Sequence, residues 1–363
     1  MGPDGETVEW FSLSTPGGLR IRFMSLGGTI LSIEAPDRLG AFADVALGFD
    51  TLDQYLADGA YLGPIVGRYA NRIANGGFTL DGRHYTLAKN NGPNHLHGGP
   101  SGFHRAHWTV TPHESGAGAV LEYESVDGEE GFPGQLNVRV SYSLTRQSDF
   151  VVDYHATSNA PTPINLTQHT YFNLSGEGSG DILDHELTVN AGGFTPVNET
   201  LIPTGEIRSV EKTPFDFRTP RLIGERIDEC DEQLKHGGGY DHNFVLERGS
   251  DPGTTFAAKL FEPMTGRILE IYTSEPGIQV YSGNSLPAKL PGKKGHAYRR
   301  RGGVALETQH LPDSPNQPAF PSTILRPGET FRSQTVYRFS TDRAREIAPA
   351  RARRERVCQP PPP

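Results

Sequence analysis

Histidines, carboxylates, amides and guanidinium groups gather in a few segments of this 363-residue chain, more densely than turns require. GRYANRIANG (67–76) carries Asn71 and Arg72, and NHLHGG (94–99) carries His95 and His97. INLTQHTYFNLSG (164–176) carries His169 and YDHNFVL (240–246) carries Asp241. ALETQHLPDSPNQPAFP (305–321) carries Glu307 and His310, and the weaker SEPGIQVYSGN (274–284) carries Gln279. An imidazole titrates near neutrality and can give or take a proton, and a carboxylate can act as its basic counterpart. Amides and a guanidinium beside them suit a polyhydroxylated ligand, in which each hydroxyl both donates and accepts. Tyr171, Phe172, Tyr281 and Trp108 are flat faces that could stack on a sugar ring.

Each residue also has a plainer reading. His169, among Thr167, Gln168 and Thr170, could be a hydrogen-bonded structural histidine, and Glu307 could be half of a salt bridge. Asp241 could belong to a turn and Arg72 to an ion pair. His95 and His97, two apart on an extended segment, would share a face and could join Glu307 and His310 around a metal. Against that stand Pro93, Gly98 and Gly99, which make a loop of the segment, and the lack of a further H-x-H or H-x-x-E pattern. No glycine-rich strand-to-helix turn with a lysine offers a phosphate cradle. A non-catalytic sugar-binding module, a glycoside hydrolase using two carboxylates and a metal-dependent β-barrel enzyme are the competing classes.

The elements that must position these groups are strands. Alternating or β-branched runs recur at 8–14, 19–25, 29–35, 107–112, 119–125, 136–144 and 149–156. They continue at 186–189, 257–261, 268–273, 278–282 and 335–339. In GGFTLDGRHYTL the pair Asp81-Gly82 marks a hairpin. Helical patterns are confined to 52–56 and the polar stretch 223–234. Many short strands without a βαβ rhythm imply antiparallel sheets in an all-β sandwich or barrel, expected as one domain over 1–341. The end, 342–363, is too rich in Arg and Pro to bury a face and is expected to be disordered.

The formal charge of −9 divides into +3 from residue 341 onward and −12 before it, which argues against nucleic-acid or anionic-membrane partners. Two cysteines, Cys230 and Cys358, do not make a disulfide framework, and no stretch is long and apolar enough to cross a bilayer. A cytoplasmic location is expected.

From about Val8 to Phe339 the chain resembles the aldose 1-epimerases (galactose mutarotases). The resemblance is carried by GRYANRI (67–73), NHLHGG (94–99), NLTQHTYFNL (165–174), YDHNF (240–244) and LETQ (306–309), followed by Pro312-Asp313 and Asn316-Gln317-Pro318. It implies a large antiparallel β-sandwich, the galactose mutarotase-like supersandwich, with an open cleft for a free aldohexose such as galactose or glucose. Matched position by position, it implies that Glu307 is the general base, His169 the general acid, and His97 a second histidine on the ring side of the sugar. Asn71, Arg72, Asp241 and Gln279 match positions that hold hydroxyls, and none of these positions departs from the family pattern. Ring closure reverses both proton transfers and restores both groups, so no cofactor or metal is expected; the resemblance implies a free monosaccharide as partner, and a monomer or weak homodimer is expected. On this reading an ionised Glu307 and a charged His169 face each other across a slot one pyranose wide. The glycines after His97 let the backbone lie against the sugar.

Overall fold

The structure, a computed structural model, describes residues 5–15, 18–249, 253–286 and 290–342. Its largest sheet has nine antiparallel strands with Gly118–Ser125, Leu136–Leu144, Asp149–Ser158, Phe331–Thr341, Arg267–Thr273 and Thr255–Phe261 side by side at its centre. Alternation decides which face each residue takes. In Leu136–Leu144 every second residue, Leu136, Val138, Val140, Tyr142 and Leu144, points inward and is buried, while the residues between them are exposed or half-buried.

A second sheet orders its strands Tyr171–Phe172, Val304–Gln309, Gly277–Tyr281, Asp241–Leu246, Ala191–Phe194 and Arg208–Ser209. Every residue of Val304–Gln309 is buried, so this strand is covered on both faces. Val304, Leu306 and Thr308 turn to the large sheet, where Thr308 Oγ1 meets Thr335 Oγ1 at 2.6 Å. Ala305, Glu307 and Gln309 take the opposite face by alternation. Register then aligns Asn243, Gln279 and Glu307 across three neighbouring strands. The sandwich thus presents a polar row on the face that the large sheet does not cover.

Most expected strands are present with ends moved by one to four residues, and Leu136–Leu144 and Glu186–Val189 coincide with the runs in the sequence. Asp81-Gly82 closes the hairpin Gly77–Leu80 with Arg83–Thr86; both turn residues have positive φ (49° and 79°), as a two-residue type I′ turn requires. The helix over Leu52–Ala57 begins at a capping box built by Thr51 and Gln54. The helix expected over 223–234 is not there. Ile223–Glu225 makes one 3₁₀ turn and the helix spans Glu232–Gly237, because the Asp231 carboxylate accepts the N–H groups of Gln233 (2.8 Å) and Leu234 (3.1 Å) and fixes the start late. Phe172 and Trp108 pack inside the core and cannot stack on a ligand. No described helix is long and apolar enough to cross a membrane. The tail reading falls outside the described residues from 343 onward.

Candidate active site

A cleft of about 1090 Å³ opens on the polar face of the second sheet, with Glu307, Asp241 and Tyr281 from its strands on the floor. His169 comes from the turn between the short strands Thr167–Gln168 and Tyr171–Phe172, Arg72 from the short strand Arg72–Ile73 opposite, and Asn71 and His97 from the turns beside that strand. The backbone of His169 is held at both ends: its N–H donates to the Pro64 carbonyl (3.0 Å) and its own carbonyl accepts from Gly63 (3.0 Å).

Glu307 Oε2 and His169 Nε2 lie 3.5 Å apart, and both side chains are 3% exposed. There is no slot between them, contrary to expectation: acid and base stand side by side and face the cleft together. Their charge states also differ from expectation. Burial pushes the Glu307 carboxyl up to about 8, with nearby Asp241 adding to the rise and Arg72 opposing it. Burial pushes His169 down to about 4. The resting pair is therefore a protonated carboxyl beside a neutral imidazole, because removing water penalises both charges.

Asp241 anchors the flank. Its Oδ1 accepts from Gln279 Nε2 at 2.6 Å and its Oδ2 lies 3.9 Å from Arg72 Nη2. Arg72 Nε donates to Asn91 Oδ1 at 3.0 Å, so the guanidinium is fixed from two sides. Gln279, expected among the hydroxyl-holding residues, stands behind Asp241 and braces it instead of lining the cleft. Asn71 lines the cleft, with its Oδ1 accepting the Arg72 N–H at 2.9 Å.

The His-x-His pair splits. His95 lies in the short strand His95–Leu96, buried, with Nδ1 2.8 Å from the Ala88 carbonyl and its ring against Phe132. His97 has φ 51° and turns away into the cleft. Its Nδ1 accepts the Asn71 backbone N–H at 3.1 Å. Burial first, then the neighbouring His169 imidazole and the Arg72 guanidinium, hold His97 well below its usual pKa, so the ring is neutral and its one proton sits on Nε2.

That tautomer tests the metal reading. His97, His169 and Glu307 bring donor atoms within 4.8 Å of one another, the set a metal would take. A metal-ligating histidine donates through its other nitrogen and binds with a bare lone pair. His97 is held the opposite way, receiving a hydrogen bond at Nδ1 and presenting an N–H to the cleft. The trio does not fit a metal. His310, the fourth metal candidate, pairs with buried Glu275 at 2.6 Å.

The glycines after His97 serve the protein's own backbone. A Cβ on Gly98 would fall 1.8 Å from the Gly67 carbonyl oxygen, and one on Gly99 would strike the Glu130 carboxylate. The asparagines of the same loop also fold it: Asn90 accepts from the Leu96 N–H and donates to the Leu96 carbonyl, and Asn94 accepts from Asn75. In GRYANR, Arg68 is structural, donating to the carbonyls of Pro133 and Gly134, while Arg72 reaches the cleft. Sequence reasoning missed Tyr61 and Asn91, which line the cleft from irregular segments, and Lys235 and His236, which line it from the end of the helix Glu232–Gly237.

The chain matches the family profile described as aldose 1-epimerase over residues 9–338. It is 48% identical over 334 residues to galactose mutarotase of Bos taurus, covering 92% of this chain and 94% of the relative. It is 39% identical over 341 residues to aldose 1-epimerase of Escherichia coli K12, covering 93% and 97%. Among solved structures, an aldose epimerase homologue from C. elegans superposes with TM-score 0.85 at 33% identity, covering 92% of this chain and 99% of that one. Galactose 1-epimerase of Lactobacillus acidophilus gives 0.79 at 25% identity, covering 92% and 99%.

Proposed function

The chain belongs to the aldose 1-epimerase family, and from that premise we propose that Glu307 and His169 exchange the protons that open and close the ring of a free aldose. The activity is interconversion of α- and β-anomers. The observation that carries the assignment of residues is the buried 3.5 Å contact between the carboxylate and the imidazole at the cleft floor.

The reaction needs one proton removed from the C1 hydroxyl and one delivered to the ring oxygen. The C1–O5 bond breaks, C1=O forms, the C1–C2 bond turns, and closure on the other face reverses both transfers. O1 and O5 share one carbon, so an acid and a base standing side by side can serve both. The resting pair already holds the single proton required. Its transfer from Glu307 to His169 Nε2 gives the base and the acid without importing charge into the site. A sugar hydroxyl donating to Glu307 Oε2, which accepts no hydrogen bond from the described residues, favours that transfer.

His97 contributes a fixed Nε2–H to a sugar oxygen. Arg72, Asp241 and Asn71 hold hydroxyls, and Gln279 keeps Asp241 oriented. Tyr171 and Tyr281, which line the cleft, offer their faces to the ring. The substrate is a free monosaccharide, galactose and glucose being the proposed hexoses, and the protein is proposed to act as a monomer or weak homodimer.

The test is optical rotation of freshly dissolved α-glucose, α-galactose and α-xylose. Glu307→Gln and His169→Asn should each lower kcat about 10²–10⁴-fold, the range of one positioned proton transfer, with the circular dichroism of the parent protein retained. Either variant keeping near-parental rate would refute the assignment.

A further inference from the structure

Tyr61 holds a backbone that a bulky side chain seldom adopts, with φ at 58°. Such a conformation persists where its surroundings over-determine it, and it collects at functional sites. The surroundings are specific. The Asp58 carboxylate accepts the backbone N–H groups of Ala60 (2.7 Å) and Leu62 (2.8 Å) on either side of Tyr61. Arg105 reaches under the same turn to the carbonyls of Leu56 (2.7 Å) and Asp58 (3.2 Å). Gly63, two residues on, donates to the His169 carbonyl at 3.0 Å and accepts from Gln168 Nε2 at 2.6 Å. The turn that carries Tyr61 is thus bonded to the backbone that carries the acid.

The ring of Tyr61 then meets three imidazoles. Its centroid is 4.7 Å from His97, 4.8 Å from His104 and 6.0 Å from His169. His97 and His169 also meet each other edge-to-face at 5.1 Å, so Tyr61 closes one side of a packed group containing both cleft histidines. His104 is half-buried behind it, away from the cleft lining, and Tyr61 itself reaches the cleft. Its hydroxyl lies near the Asn90 side chain. Asn90 is the residue that folds the His97 loop through Leu96.

We propose that Tyr61 is a positioning residue of the anomer exchange: its ring fixes the imidazoles of His97 and His169 relative to each other, and its hydroxyl donates to a sugar oxygen in the cleft. This rests on the reading of His169 and Glu307 given above. Imidazole placement matters because a proton passes efficiently only across a short, aligned contact, and small misplacement costs rate steeply. A leucine at position 61 would leave both rings free to rotate, whereas a phenylalanine would keep the packing and delete only the donor.

Mutarotation by the full chain of Tyr61→Leu and Tyr61→Phe, with kcat and KM separated by varying the aldose, tests both halves of the role. For Tyr61→Leu, kcat should fall at least tenfold. For Tyr61→Phe, kcat should recover to within about twofold of the parent while KM rises severalfold, a split that a purely structural role would not produce. Thermal melts should show both variants folded at the assay temperature. Tyr61→Leu with parental kcat and KM overturns the proposal, as does equal damage by both substitutions. If Glu307→Gln keeps its rate while Tyr61→Leu loses it, the acid–base reading fails instead, so the two failures are distinguishable.

Discussion

At Glu307 and His169, exclusion of water moves two titrations in opposite directions, up to about 8 and down to about 4. Between those values the pair holds one proton, the number that the reaction consumes at one oxygen and returns at the other. Below about 4 a second proton arrives and no base is left; above about 8 the last proton leaves and no acid is left. The expected kcat/KM profile is therefore a bell with limbs near those values, which belong to the pair and not to either residue. Initial polarimetric rates, corrected for buffer-catalysed mutarotation, check this; a profile still rising at pH 10 would contradict it. A separated, fully charged pair, as expected from the sequence, would need water or counter-charge around each group. Their burial at 3% exposure rules out that hydration.

At the scale of elements, one strand divides two tasks by alternation. Leu306 and Glu307 are consecutive, yet Leu306 packs between the sheets and Glu307 faces the cleft. Leu306→Ala should cost about 2–5 kcal/mol of stability by leaving a cavity, with KM for the sugar within about twofold of the parent. Chemical denaturation and steady-state kinetics on the same preparation separate these effects. The 94–99 loop works differently, because its shape and its chemistry are one feature. Gly98 has φ 81° and sits against the Gly67 carbonyl, so an added Cβ has no room. Gly98→Ala should therefore shift His97 and lower kcat/KM at least tenfold, with about 1–2 kcal/mol of the stability loss arising from the left-handed backbone alone. Parental kcat/KM in that variant would show that the loop tolerates displacement.

At the scale of the whole molecule, the formal charge of −9 has no counterpart in the proposed substrate, which is neutral. Electrostatic steering acts on charged ligands, so kcat/KM for a free aldose should change less than about twofold between 10 mM and 500 mM salt. A steep salt dependence would point to an anionic substrate. The cleft exists because the six-stranded sheet is backed on one face by the nine-stranded sheet and edged on the other by long loops from distant parts of the chain. Arg72 and Asp241, 3.9 Å apart, are 169 positions apart in sequence.

Much of this was legible in the sequence. Alternation over 136–144 and the turn pair Asp81-Gly82 dictate strands and a hairpin through local sterics, and NLTQHTYFNL, YDHNF and LETQ together mark the site. What local pattern could not carry was the direction of side chains in irregular segments. His95 and His97 part because one residue between regular strand and turn changes its φ, and Gln279 braces Asp241 because register aligns their strands. The side-by-side contact of Glu307 with His169, its inverted protonation and the tautomer of His97 were likewise decided by tertiary structure. They depend on which groups lose water together, and solvent exclusion is a property of the folded assembly, not of neighbours along the chain.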